Sequence, residues 1–290
     1  MIEDVTVTTI QELINVADEA YLSWRTKARA WFRGEPRETT TPLLPKLYRS
    51  PHDELQLLKN FRIKAPTYVD IQIPQKGHTD QWTFLAQHVR LPTRLLDWTE
   101  GLLIALHFAL HSRESGAVVW MLNPHALNAL SDTTPRPDND FPITWFAPEL
   151  DTTQWLRGFL QPDERAQDKS KNYADAARQF LETGKVPYNI GNRNIRAAWE
   201  AKPDLATDYP VAIYPTSIHP RITVQKSGFT IWGRDNRALD SMVGPEVLRR
   251  FVVEEGAIPS LIEQLTRLGI TWSTLFPDLD NLAKDLASLY

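Results

Sequence analysis

The 290-residue chain contains no cysteine. That excludes disulfides, cysteine-ligated zinc and thiol catalysis, and it fits an intracellular compartment, so a cytoplasmic protein is expected. No apolar run reaches the roughly 18 to 20 residues a membrane span needs, so no membrane partner is expected. The amino terminus, Met1-Ile2-Glu3-Asp4, is acidic and leads into an amphipathic pattern, unlike a charged-then-apolar signal segment. An excess of basic charge is also missing. Thirty-two Lys and Arg against 36 Asp and Glu leave a net charge of -4. A general basic surface of the kind that drives non-specific nucleic-acid binding is therefore excluded, while a local basic groove stays open. There is no internal repeat and no low-complexity segment. The sequence also lacks a phosphate-binding Gly-rich loop with Lys-Ser/Thr, a G-x-G-x-x-G after a strand, a His-Glu-x-x-His and a G-x-S-x-G.

What the chain does have is apolar mass: 42% hydrophobic residues and 10 Trp can bury a sizeable core. Thr8-Thr9-Ile10-Gln11-Glu12 reads as a capping box, followed by Ile10, Leu13, Ile14, Ala17 and Tyr21 at helical spacing to about Trp24. Ala30 to Gly34 reads as a strand ending at a glycine, followed by turns at Pro36, Pro42 and Pro45. Helical spacing resumes over Glu54 to Ala65 and again from Gln81 to His88, with Pro92 marking the end. Leu102 to Leu110 is apolar nearly all round and reads as a buried helix. Beyond Gly116, Ala117 to Leu122 is a β-rich run. Between 130 and 208 the composition turns to Pro, Asp, Asn, Lys and Arg, which predicts an irregular or partly helical insertion. Strands are then expected at Pro210 to Pro215, Arg221 to Gln225, Gly228 to Gly233 and Leu248 to Val253, with helices from Ser260 to Gly269 and after Asp280. Strands from separate places with helices between them indicate an α+β fold. The organisation expected is a single domain over 1–290, its core at about 20–128 and 209–290.

Charged and hydrogen-bonding residues set in apolar surroundings mark two segments, Trp31-Phe32-Arg33-Gly34-Glu35 and Gln87 to Thr99. An unpaired ion there would cost several kcal/mol, roughly, so each needs a partner or a task. Arg33 could grip a phosphate or carboxylate where Gly34 lets a ligand approach the backbone, or it could pair with Asp97 or Glu35. Arg94 and Asp97, three apart, could pair in a turn or face apart in a strand. His88 could bind a ligand, act as an acid or base, or serve as a helix-end group. Gln225, with Ser227-Gly228 beyond it, could bond a sugar hydroxyl or end a sheet edge. His107 and His111 are four apart on an apolar segment without a nearby acid, a poor metal site.

These residues resemble the FRG-domain family, named for the Phe-Arg-Gly seen here as Phe32-Arg33-Gly34. The match includes Gln87-His88, Pro92 to Thr99, Ala105 to Ala109, Arg221, Gln225, Gly228-Phe229 and Leu275 to Leu279, which is most of the chain apart from the insertion. Val89-Arg90 departs from the small residue or glycine usual after the His, which would narrow a site.

The chain also resembles, more distantly, mono-ADP-ribosyltransferases of the arginine, serine, glutamate type. There an aromatic-Arg-Gly strand holds the NAD phosphates, and a Ser-Thr-Ser strand precedes an Ala-x-x-Phe-Ala helix and another strand. Phe32-Arg33-Gly34 is similar to the first element. Asp97-Trp98-Thr99, Ala105 to Ala109 and Ala117 to Leu122 are similar to the second. The catalytic Glu of the third element would fall near Arg221 to Gln225, where this chain has no Glu. The resemblance implies split, mostly antiparallel sheets with flanking helices, and NAD as substrate. Arg33 would neutralise the diphosphate, and Thr99 and Gln225 would hydrogen-bond the nicotinamide-side ribose. His88, Asp97 or a substrate group would serve as base. Gly34, Thr93 and Arg94 complete the NAD-contacting set. The acceptor would be protein or nucleic acid, and the setting a bacterial toxin, with a possible antitoxin partner, or anti-phage defence. Two other readings stand beside it: a non-enzymatic binding module in which Arg33, Arg94 and Asp97 form a buried scaffold, and a metal-dependent nuclease or hydrolase using His88 with Asp97.

Overall fold

The first helix begins where its orphan amides find acceptors. Thr9 takes the Glu12 amide at 3.1 Å, and the Glu12 carboxylate takes the Thr8 amide at 2.7 Å. The computed structural model describes residues 2–24, 29–37, 42–68, 73–75, 77–111, 116–131, 190–215 and 227–289. In chain order the main elements begin with β1 (Asp4–Val7), α1 (Ile10–Ser23), β2 (Trp31–Pro36), α2 (Glu54–Lys64), α3 (Thr79–His88), β3 (Leu95–Thr99) and α4 (Leu102–Leu110). They continue with β4 (Ala117–Leu122), α5 (Pro124–Ser131), α6 (Ile190–Glu200), β5 (Val211–Ile213), β6 (Ser227–Ile231) and β7 (Leu248–Val253). Three helices close the chain: α7 (Ile258–Arg267), the short α8 (Trp272–Leu275) and α9 (Leu279–Leu289).

The strands form one seven-stranded sheet in the order β1-β7-β4-β2-β3-β6-β5. Every neighbouring pair is antiparallel except β1 with β7, which run parallel from Asp4↔Arg250 to Val7↔Val253. The α+β class and the antiparallel majority are therefore as expected. The expected split into separate sheets is corrected to a single sheet with a weak joint. β2 pairs with β4 along all six residues, but with β3 through Phe32↔Thr99 alone. That one bridge pair joins a four-stranded half to a three-stranded half.

Alternation along the strands sorts the core. On one face Phe32, Val119, Met121 and Phe251 pack with α1, α4 and α7, and Leu95, Phe229 and Ile231 pack with α2, α3 and α6. On the other face Trp31, Leu96, Trp98, Trp120 and Leu122 meet Leu43, Leu127, Trp232 and Leu239. α6 carries Ile195, Ala198 and Trp199 into the core, so the stretch expected to be irregular or partly helical ends, at 190–200, as a packed helix. Most of that stretch, 132–189, lies outside the described residues, as does the strand expected at Arg221 to Gln225.

α4 is buried because its sequence, LLIALHFAL, offers no polar face. His107 lies within it, 1% exposed, its ring 4.1 Å from that of His111 and 4.9 Å from that of Trp272. Burial first, and then the charge of His111, pushes the His107 pKa down to about 4, against the opposing pull of Asp285. The folded state keeps this imidazole neutral, whereas the unfolded chain protonates it near its ordinary value of about 6.5. Protons are thus taken up preferentially by the unfolded chain, and stability falls as the pH drops from about 6.5 towards about 4. We predict that His107→Phe, measured by denaturant unfolding, loses about 2 kcal/mol less than the wild type between neutral pH and about pH 5.

Candidate functional site

Past Phe32↔Thr99, strands β2 and β3 part, and the residues singled out from the sequence gather at that parting. Alternation puts Arg33 and Glu35 on the tryptophan-rich face of β2 and Gly34 on the face of α4. A Cβ on Gly34 would lie 1.9 Å from the Ala105 carbonyl oxygen and 2.5 Å from the Ala109 amide. The space beside Gly34 is filled by the α4 backbone, so the glycine serves close strand-helix contact there, where a ligand approach was expected.

Arg33 bridges the parted strands. Its Nε donates to Glu35 Oε1 at 2.8 Å, and its Nη1 donates to the Asp97 carbonyl at 2.8 Å. A strand carbonyl facing a gap in the ladder lacks a backbone donor, and the guanidinium supplies one. Glu35 is only 4% exposed and also accepts the Leu43 amide at 3.4 Å through Oε2. Arg33 is thus paired with Glu35 and with the Asp97 main chain, while its side chain keeps 21% exposure.

The Asp97 carboxylate leaves β3 on the opposite face. Gln87, in the last turn of α3, donates through Nε2 to Asp97 Oδ2 at 2.8 Å. The Thr93 hydroxyl donates to Gln87 Oε1 at 2.5 Å and accepts the Leu95 amide at 3.2 Å. This chain of donors fixes which end of the Gln87 amide faces Asp97. Asp97 is itself exposed to solvent, with protein atoms on the side towards the sheet. That desolvation pushes its pKa up, against the charge of Arg33 and the bond from Gln87.

Arg94 does not pair with Asp97. It lies just ahead of β3 and grips Glu54 of α2 with Nε on Oε1 at 2.8 Å and Nη2 on Oε2, and Nη1 reaches the Trp232 carbonyl at 3.4 Å. Beside this pair burial pushes the Tyr48 hydroxyl up to about 12. A cavity of about 370 Å³ opens there, lined by Tyr48, His52, Glu54 and Arg94 among others. Thr99 is buried, and its hydroxyl accepts the Gly101 amide at 3.1 Å at the start of α4. His88 is partly buried at the end of α3, one residue beyond Gln87. Gln225 lies outside the described residues. Among the described residues no group of three or more His, Asp or Glu is placed to hold a metal ion.

The structure therefore brings Arg33, Asp97 and Thr93 together, puts Thr99 at the joint, and sends Arg94 to a separate ion pair. The role of Gln87 as the partner of Asp97 was not read from the sequence. The hint available was a helix-end amide ten residues ahead of an acid in apolar surroundings.

Removing Arg33 would leave Glu35 buried without its close partner. We predict that Arg33→Ala costs about 2 to 4 kcal/mol in denaturant unfolding, and that adding Glu35→Gln recovers at least half of the loss.

No curated protein and no solved structure matches the chain. Residues 28–117 match the family model described as the FRG domain, a span holding Arg33, Gly34, Glu35, Gln87, Thr93, Asp97 and Thr99 together, and this match supports the resemblance to the FRG-domain family over that segment.

Proposed function

We propose that this chain binds NAD at the parting of β2 and β3 and transfers its ADP-ribose to a protein or nucleic-acid acceptor. The observation that carries the reading is that a half-committed guanidinium holds the main chain of the very residue whose carboxylate Gln87 orients on the other face of the sheet. Arg33 uses Nε and Nη1 within the protein, and its Nη2 makes no hydrogen bond among the described residues. That nitrogen can donate to a diphosphate oxygen, a charge-assisted bond with fixed geometry.

In the transfer, the bond between the ribose C1′ and the nicotinamide nitrogen breaks. The electron pair goes to the nitrogen, nicotinamide leaves uncharged, and positive charge develops on the ribose. An acceptor oxygen or nitrogen then forms the new bond to C1′ and sheds a proton. Asp97 is the group assigned to receive it. Its raised pKa brings it closer to neutrality, where a general base is most effective, and Gln87 fixes its orientation. The carboxylate also places negative charge where the ribose becomes positive. In this account Asp97 does the work for which the resemblance assigned a Glu near residues 221–225.

The reading is tested by incubating the full chain with NAD, with and without cell extract as a source of acceptors, and measuring nicotinamide release. We predict that Asp97→Asn lowers release by about 10²- to 10⁴-fold while NAD affinity stays within a few-fold of wild type. Release by the Asn variant at the wild-type rate removes Asp97 from the chemistry, and no release by the wild type with any extract removes the transferase.

A further inference from the structure

Two guanidiniums approach one buried carboxylate, and only one of them is needed there. Glu35 has Arg33 Nε at 2.8 Å on Oε1 and the Leu43 amide on Oε2. Arg49 Nη2 stands 3.9 Å from the same Oε1, beyond hydrogen-bond distance. Arg49 is held in place by a different contact, from its Nε to the Leu44 carbonyl at 2.9 Å. Its terminal nitrogens make no hydrogen bond among the described residues, and its side chain is 36% exposed. The planar end of Arg49 is therefore anchored and accessible, and its contact with the Glu35 carboxylate is an ion pair longer than a hydrogen bond.

The charge count agrees. One carboxylate faces two fixed cations, and burial together with the charge of Arg33 lowers the Arg49 pKa against the pull of Glu35. Asp240 is the other carboxyl near Glu35. It feels Arg250, and its pKa is pushed up by burial first and by Glu35 as well. Across the sheet the row continues Arg33↔Trp120↔Arg250, where Arg250 is already bonded to Asp4 and its guanidinium lies 5.5 Å from the centre of the Trp120 ring. Arg250 is thus hydrogen-bonded to its acid within the fold, whereas the terminal nitrogens of Arg49 have only the longer ion-pair contact to Glu35.

We propose that Arg49 and Arg33 together form a two-armed site for a phosphoryl anion, with Arg49 as the second arm of the diphosphate contact. The inference rests on the NAD reading for the identity of the ligand, and on geometry alone for the anion. Two guanidiniums on one diphosphate bind through several charge-assisted bonds, and an anion arriving there relieves the repulsion between them.

The test is calorimetric titration of the full chain with inorganic pyrophosphate and, separately, with NAD. Arg49→Ala, Arg49→Lys and, as a control, Arg267→Ala are compared with wild type. Arg267 lies on α7, exposed, and is paired with Glu263. We expect wild type to bind pyrophosphate and Arg49→Ala to bind it about tenfold more weakly or worse, the loss of one charge-assisted bond, with Arg267→Ala unchanged. Arg49→Lys keeps the charge without the fork and is expected between the two; it serves as the test variant should the alanine protein fail to fold. Equal pyrophosphate affinity in wild type and Arg49 variants, or no binding by wild type, overturns the site. Pyrophosphate binding that depends on Arg49, with no NAD binding, keeps the site and removes the NAD reading. Equal NAD affinity in wild type and Arg49→Ala removes Arg49 and keeps the NAD reading.

Discussion

The guanidinium of Arg33, stretched between the Glu35 carboxylate and the Asp97 carbonyl, is the contact on which the rest of this structure depends. The two halves of the sheet share a single backbone bridge pair, Phe32↔Thr99. Where the ladder stops, a side chain takes over. The bridge needs a buried acid to orient the arginine, which accounts for Glu35 two residues along the same strand face. It also needs β2 held firmly from the other side. α4 does this, lying so close that only a glycine fits at position 34. The Phe-Arg-Gly-Glu run is thus one mechanical unit: a core aromatic, a bridging cation, a close-contact glycine and an anchoring acid.

The same parting has two chemically different sides. On one, Arg33 and Arg49 present positive charge around a buried carboxylate. On the other, Asp97 presents a carboxyl whose pKa is raised by its surroundings and whose direction is set by Gln87 and Thr93. Cation and acid are linked through the Asp97 main chain, since Arg33 holds the carbonyl of the residue whose side chain carries the acid.

Much of the fold could be read from local pattern. The start of α1 at Thr9, the apolar α4, and strands β2, β4 and β7 follow from capping residues and side-chain periodicity, which act over a few positions. β1 was not legible. Asp4–Val7 is mostly exposed and is a strand because β7, some 246 residues away, pairs with it. The ion pairs followed the same rule. Glu35, two residues from Arg33, was among the partners foreseen, whereas Glu54, forty residues from Arg94, was not. The meaning of Gly34 shifted for a related reason. A glycine beside an arginine permits close approach, but sequence does not say whether a ligand or a helix approaches. Gly228 is similar, since a side chain there would meet the buried Trp31 ring within 3 Å.

One arginine closes the gap between the halves of the sheet and, in the proposed function, also faces the nucleotide. The most direct measurement is nitrogen NMR of the arginine side chains of the full chain, free and with NAD added. The account predicts that the Arg33 Nε proton exchanges slowly with water in the free protein. It also predicts that NAD shifts the Arg33 terminal nitrogens and leaves those of Arg94, bound to Glu54, in place. An Arg33 side chain that exchanges as fast as the exposed Arg267 and does not respond to NAD would contradict it.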